Sequence, residues 1–250
     1  KVIEILSRYI VMVKESLDEI IENLTKHDPN KKNLEKIIKN IVKYSPDYNP
    51  KKWNKNIYIR QAHNCYEYFL NKINPEHAKE CLKLKKSMCT YKDGTKKKCD
   101  CHRLKAQPGY AAGYKRIKKA KKYTCKNLHR RILADNPGIY KARKNGDCRE
   151  GYYMGALVIH PGSTYHFYRR DSNGRWSHKD GLTKAKNYDA KGNLIYSIKK
   201  AARHYKRSNG RGGVNYSRIC ARYCIPRHTK KRASYRAGKG RKKTRKRSLF

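Results

Sequence analysis

Acid is scarce in this sequence. Its 250 residues contain 19 Asp+Glu against 64 Lys+Arg, a formal charge of +45. A free chain of that charge repels itself and calls for a polyanion or an acidic surface nearby. Long apolar runs are also missing. No stretch approaches ~18 uninterrupted apolar residues, which excludes a membrane-spanning helix. The most apolar segment, residues 1–24, is broken by Glu4, Arg8, Lys14, Glu15, Asp18 and Glu19, and it lacks the signal-peptide order of basic start, apolar run and small-residue cleavage site. There is no Walker loop, and Gly210-Arg211-Gly212-Gly213 sits among basic residues as an ordinary loop, so no cofactor is implied. The apolar share is 37%, short of the roughly 45–50% of globular chains, and much of any core must come from the 21 tyrosines.

The charge is uneven. Residues 1–50 hold nine Lys/Arg and eight Asp/Glu, which leaves 55 basic and 11 acidic residues, +44, in the rest. In the neutral part, Ile3, Leu6, Ile10, Val13, Leu17, Ile20, Ile21 and Leu24 recur at helical steps. Leu34, Ile37, Ile38 and Ile41 repeat the pattern after His27-Asp28-Pro29-Asn30. This predicts a helical hairpin over 1–50, packed either on its own chain or on another. At the other end, residues 227–250 hold 12 Lys/Arg and no acid. Lys230, Lys231, Arg232, Arg241, Lys242, Lys243, Arg245, Lys246 and Arg247 make this an extended basic tail suited to nucleic acid or acidic protein, with sequence-independent, salt-sensitive binding.

Between them, 51–226 reads as one α+β domain. A helix starts at Ala62 or Asn64, with Asn64 as N-cap and Cys65 in the first turn. A Cys- and Lys-rich insertion covers 77–105, and a second helix covers Lys126 to Leu133. Apolar and aromatic strands follow at Met154–His160, Thr164–Arg169 and Arg175–Lys179, with turns at Asp171-Ser172-Asn173-Gly174 and Asp189–Asn193. Helices followed by hairpins imply an antiparallel sheet.

A helix N-terminus stabilises a thiolate, and a neighbouring His completes a nucleophile–base pair. Cys65 at a helix start, His166 on a strand and His178 on the next strand follow that order. The segments NCYEYFLN at 64–71, QPGY at 107–110 and HFYRRDSNGRWSHKDG at 166–181 resemble uncharacterised proteins of large eukaryotic DNA viruses and some bacteria. More broadly, residues 60–225 resemble the NlpC/P60-type branch of the papain-like hydrolases. The resemblance implies Cys65 as nucleophile, His166 as base, His178 as orienter and Gln61 near the oxyanion, although the family spaces that Gln further from the Cys. The triad also needs a particular hairpin. A two-residue Asn173-Gly174 turn pairs Arg169 with His178 and puts the two histidines on opposite faces. A three-residue loop with a Gly174 bulge pairs Tyr168 with His178 and puts them on one face.

Nine cysteines leave eight once Cys65 is set aside, enough for four disulfides with 105 pairings open. Reduced thiols remain open, as does zinc held by Cys81, Cys89, Cys99 and Cys101 with His77 and His102 nearby, although no CxxC pair is present. Large DNA viruses commonly encode a thiol oxidase, so the resemblance is compatible with disulfides despite assembly in the host cytoplasm.

The charge ranks a structural role first: a virion component, in the capsid interior or inner shell, contacting acidic capsid proteins or packaged DNA and reaching other virion proteins through the N-terminal hairpin. A thiol peptidase or amidase using Cys65 and His166 is the alternative, and a ribosomal or chromatin-like nucleic-acid binder is the third.

Overall fold

The computed structural model describes residues 31–91, 94–143, 146–206 and 213–236. The first predicted helix of the N-terminal hairpin, most of the Gly210–Gly213 loop and the basic residues from Arg241 to Arg247 lie outside them.

The chain order is helices first, then sheet. Helices α1 (Lys31–Tyr44), α2 (Pro50–Asn54), α3 (Ile57–Ala62), α4 (Cys65–Phe69) and α5 (Pro75–Lys86) precede a small hairpin, β1 (Met88–Thr90) and β2 (Lys96–Lys98). Helix α6 (Cys125–Asp135) then leads into β3 (Tyr140–Lys141), β4 (Tyr152–His160), β5 (Thr164–Arg170), β6 (Trp176–Lys179) and β7 (Ala185–Lys186). The chain ends with β8 (His204–Lys206), β9 (Gly213–Asn215) and β10 (Arg218–Pro226). Six strands form one sheet in the order β3-β10-β4-β5-β6-β7, with every neighbouring pair antiparallel. The expected mixed helix-plus-antiparallel-sheet architecture is present, and no helix among the described residues is long and apolar enough to cross a membrane.

Strand alternation gives the sheet two buried faces. On one, Leu157, Phe167, Tyr223 and Ile225 pack with Cys65, Tyr66, Phe69 and Leu70 of the α4 segment and with Leu128 and Ile132 of α6. On the other, Met154, Ala156, Val158 and Tyr168 pack with Trp176, Ile195, Ile198 and Tyr216. Gly155 allows the close approach of α4, because a Cβ there would enter the Phe69 ring and touch Ile225.

Polar contacts lock α4 to the strand hairpin. The Arg169 guanidinium is fully buried over the Tyr68 ring, 4.2 Å from its centroid. It donates to Asp171 at 2.8 and 3.0 Å and to Asn71 Oδ1 at 2.9 Å. Tyr68 OH lies 2.7 Å from Ser177 Oγ. These acceptors offset the cost of burying the Arg169 guanidinium.

Helix α1 turns Ile38 and Ile41 into the protein, and its Tyr44 OH donates to Glu150 Oε1 at 2.7 Å. The second arm of the expected hairpin therefore packs on its own chain. At the other end, residues 227–236 also lie against the domain. Arg232 donates to the carbonyls of Asp135 (2.7 Å) and Ala134 (2.9 Å), capping the C-terminal end of α6, and its N–H reaches Asn136 Oδ1 at 2.7 Å. Lys231 donates to Arg227 O at 3.1 Å, and burial beside Arg227 and Lys72 draws its pKa down to about 8. Lys230 is exposed. Residues expected at the start of a free tail thus form part of the packed structure, because the open carbonyls of a helix end attract a guanidinium.

Candidate functional site

Cys65 opens α4, as the sequence predicts, with Asn64 as its cap. Asn64 Oδ1 accepts from the Tyr66 N–H at 3.0 Å, and Glu67 Oε2 accepts from the Asn64 N–H at 3.1 Å, completing a capping box. Asn64 Nδ2 donates to Ala106 O at 2.7 Å, which ties the helix start to the segment before Gln107.

The expected activation of the thiol is reversed. Burial, reinforced by Asp180, pushes the Cys65 pKa up to about 12, despite an opposing hydrogen bond from the Phe167 main chain and the charges of Lys105 and Lys179. A five-residue helix supplies too little dipole to outweigh that desolvation. Cys65 therefore carries a neutral thiol at ordinary pH.

His166 and His178 do come together. Tyr168 pairs with His178, and Gly174, at φ 76°, closes the three-residue loop 172–174, so the two histidines share a face. His166 Nε2 lies 2.8 Å from His178 Nδ1, and His178 Nε2 lies 3.0 Å from Tyr188 O. A carbonyl only accepts, so His178 carries its proton on Nε2. Its bare Nδ1 then accepts from the Nε2–H of His166. Asp180 Oδ1 is 3.3 Å from His166 Nε2, and Lys186 Nζ is 3.3 Å from Asp180 Oδ2. Burial, then the neighbouring His166, lowers the His178 pKa to about 3, and burial also lowers that of His166. Burial alone would raise Asp180, but His166, His178 and Lys186 outweigh it and hold the carboxyl at about 2.

The Cys65 thiol feels the charge of Asp180, the carboxylate beside His166. Cys65 belongs to the Phe167 side of the sheet, whereas His166 pairs with Val158 on the Tyr168 side and stacks on Tyr216, 5.3 Å between ring centroids. Among the described residues no hydrogen bond joins the Cys65 sulfur to either imidazole. Gln61 lies on α3, and its Oε1 is buried with no hydrogen-bond partner among the described residues.

Two three-residue groups have metal-ligand composition, with one ligand atom from each member within 4.8 Å of the others. In His63, Glu67 and His77 those atoms are spent: His63 Nδ1 donates to Ile59 O, His63 Nε2 accepts from the Asn74 N–H, and Glu67 takes Asn64 N–H and His77 Nδ1. His166, His178 and Asp180 face one another at 2.8, 3.3 and 3.9 Å, so a cation there would replace the proton they share. The zinc alternative at the cysteines is overturned. Cys81–Cys101 and Cys89–Cys99 are disulfides, as are Cys125–Cys220 and Cys148–Cys224, and Cys65 is the free thiol. The short loops of the insertion bring these sulfurs together in pairs rather than around a common centre. His77 is engaged with Glu67, and His102 Nδ1 accepts from Lys105.

Sequence reasoning passed over the segment between Gly109 and α6. Two clefts open there, of about 650 and 690 Å³, and both are lined by Arg116, Ile117 and Arg131. Lys105 lines the first, and both Lys105 and Lys179 act electrostatically on Cys65. Burial draws the Lys179 pKa down to about 7, while the carbonyls of Arg60, His63 and Gly181 at 2.5–2.7 Å give an ammonium a full set of acceptors. The available signal was the run Lys115-Arg116-Ile117-Lys118-Lys119-Ala120-Lys121-Lys122, as dense in charge as the tail.

No family model matches the chain, and no solved structure does. A 48-residue stretch is 54% identical to insoluble matrix shell protein 1 of Ruditapes philippinarum, covering 19% of this chain and 32% of that protein. The chain thus spans about a third of the length of the curated relative it matches.

Proposed function

We propose that the protein is a disulfide-braced structural component that binds acidic partners through its basic surface. The observation that carries this reading is where the few acids go. Glu67, Asp135, Asp171 and Asp189 are buried and accept internal hydrogen bonds, so folding removes negative charge from a surface already rich in Lys and Arg. Such a surface attracts polyanions over long range and loses that attraction as salt rises. Four disulfides suit a component that must persist once assembled. The matched shell protein is by its name an insoluble matrix protein, which also favours a structural role.

The setting follows from the sequence resemblance: a particle of a large DNA virus, with acidic capsid proteins or packaged DNA as partners and a papain-like scaffold inherited from a hydrolase. In that setting the protein co-purifies with nuclease-treated particles. Its absence from them removes the virion setting, and failure to be retained on heparin at low salt, or retention that rising salt does not weaken, removes the polyanion reading itself.

The hydrogen-bonded His166–His178 pair favours a second reading, a thiol peptidase or amidase. It requires Cys65 to leave its neutral, buried state and meet His166 on substrate binding. A thiol-directed substrate mimic that fails to label Cys65 at neutral pH counts against it.

A further inference from the structure

We propose that the two clefts meeting at Arg116, Ile117 and Arg131 form one channel for a single-stranded nucleic acid, with bases held in one half and phosphates in the other. The inference rests on the polyanion-binding reading and assigns it a place and a ligand class.

The phosphate half is the cleft of about 690 Å³. Nine of its lining residues between 115 and 131 are Lys or Arg and none is acidic. Lys115, Lys118, Lys119, Lys121, Lys122 and Lys126 are exposed and make no ion pair among the described residues, so their charge is open to a ligand. The N-terminal turn of α6 lines the same cleft through Thr124, Lys126 and Asn127 and adds its positive end.

The base half is the cleft of about 650 Å³. Tyr91, Tyr110, Tyr123, Tyr165 and Tyr235 line it, and Asp100 is its one acid. Asp100 is occupied in accepting the His102 N–H at 2.8 Å. Tyr165 OH is likewise tied to Gln107 Oε1, which fixes that wall. At the junction Arg131 is buried. It donates to Pro108 O at 3.2 Å and Lys115 O at 2.9 Å, and it lies 4.9 Å from the Tyr114 ring centroid. Its Nε is buried with no partner among the described residues, so the wall between the halves retains an unused donor.

Aromatic faces beside a cationic groove are the means by which single strands are held without sequence preference. A duplex has its bases already stacked and gains nothing from the tyrosines. An acidic polypeptide would use the lysines alone. The tyrosines therefore favour unpaired bases over either.

The test measures anisotropy of labelled oligo-dT, the matched duplex, heparin and polyglutamate against salt, using the oxidised full chain. Wild type should favour oligo-dT over the duplex. Lys118→Gln/Lys122→Gln, at two exposed positions, should flatten the log–log salt slope by about 1.4, since each single-strand phosphate contact contributes about 0.7. Tyr110→Leu should weaken oligo-dT by about five-fold or more, leaving its salt slope and heparin affinity unchanged. Equal loss for heparin and oligo-dT in Tyr110→Leu, polyglutamate binding as tightly as oligo-dT, or lysine variants with an unchanged slope would overturn the channel while the polyanion reading stands. Failure of wild type to bind any of the four would remove both.

Discussion

Cys65 and His178 sit where the sequence places them, one at a helix start and one facing His166, yet their chemistry is set by burial. A thiol held at about 12 is protonated across the physiological range. Iodoacetamide at pH 8 should therefore modify the folded chain far more slowly than the urea-unfolded chain, and mass spectrometry of the alkylated protein checks this. Rapid stoichiometric labelling of Cys65 in the folded state would contradict its buried neutral state. His178 gives a pH prediction. Its folded pKa is depressed to about 3 from 6.5. The unfolded chain takes up the proton first, so stability falls as pH drops from about 6.5 toward 3, by about 1.4 kcal/mol per pH unit for one such group. Urea midpoints at a series of pH values should show this slope, and His178→Gln should reduce it. An unchanged slope would mean that His178 titrates freely in the fold.

At the scale of elements, the contact between α4 and the sheet is the decisive one. A Cβ at position 155 would enter the Phe69 ring and press on Ile225. Gly155→Ala should cost about 1–3 kcal/mol by overpacking, measured by denaturant unfolding. A neutral result would mean that α4 can lift without loss. The Cys125–Cys220 bridge joins the first residue of α6 to β10 across 95 residues. Its removal in Cys125→Ala/Cys220→Ala should cost about 2–5 kcal/mol, and thiol titration of the unfolded wild type should find one free sulfhydryl. Several of these elements were legible in the sequence. Asn64 as a cap, the strands at 154–160 and 164–169, and Gly174 as a turn residue follow from local propensity. The choice between two- and three-residue hairpin loops did not, because both fit the same residues. The register Tyr168–His178 puts Trp176 on the buried Tyr168 face of the sheet, where the two-residue turn would have sent it to the Phe167 face.

Across the whole molecule, charge repulsion opposes folding while disulfides and two buried faces support it. The melting temperature of the oxidised chain should therefore rise between low and moderate NaCl as like charges are screened. A fall on adding salt would show that attractive pairs dominate. The excess charge was plain in the composition, and so was its absence from the first 50 residues. Its sorting was hidden. Arg169, Lys179 and Arg232 count equally with Lys118 in any sum, but the first two are buried and satisfied and Arg232 caps a helix, whereas Lys118 lines an open cleft.

The sequence by itself determined the class of the chain: a basic protein of helices followed by antiparallel hairpins, with a capped helix at Cys65, two histidines on adjacent strands and eight further cysteines whose state it left open. These follow from composition and from periodicities of two and 3.6 residues, which act over a few residues at a time. Tertiary structure alone decided which cysteines bond, that the Cys65 thiol is neutral, that His166 hydrogen-bonds His178, and which cations remain at the surface. Each of these depends on what lies across the sheet or beyond a long loop, and desolvation and pairing are properties of the folded neighbourhood rather than of the residue.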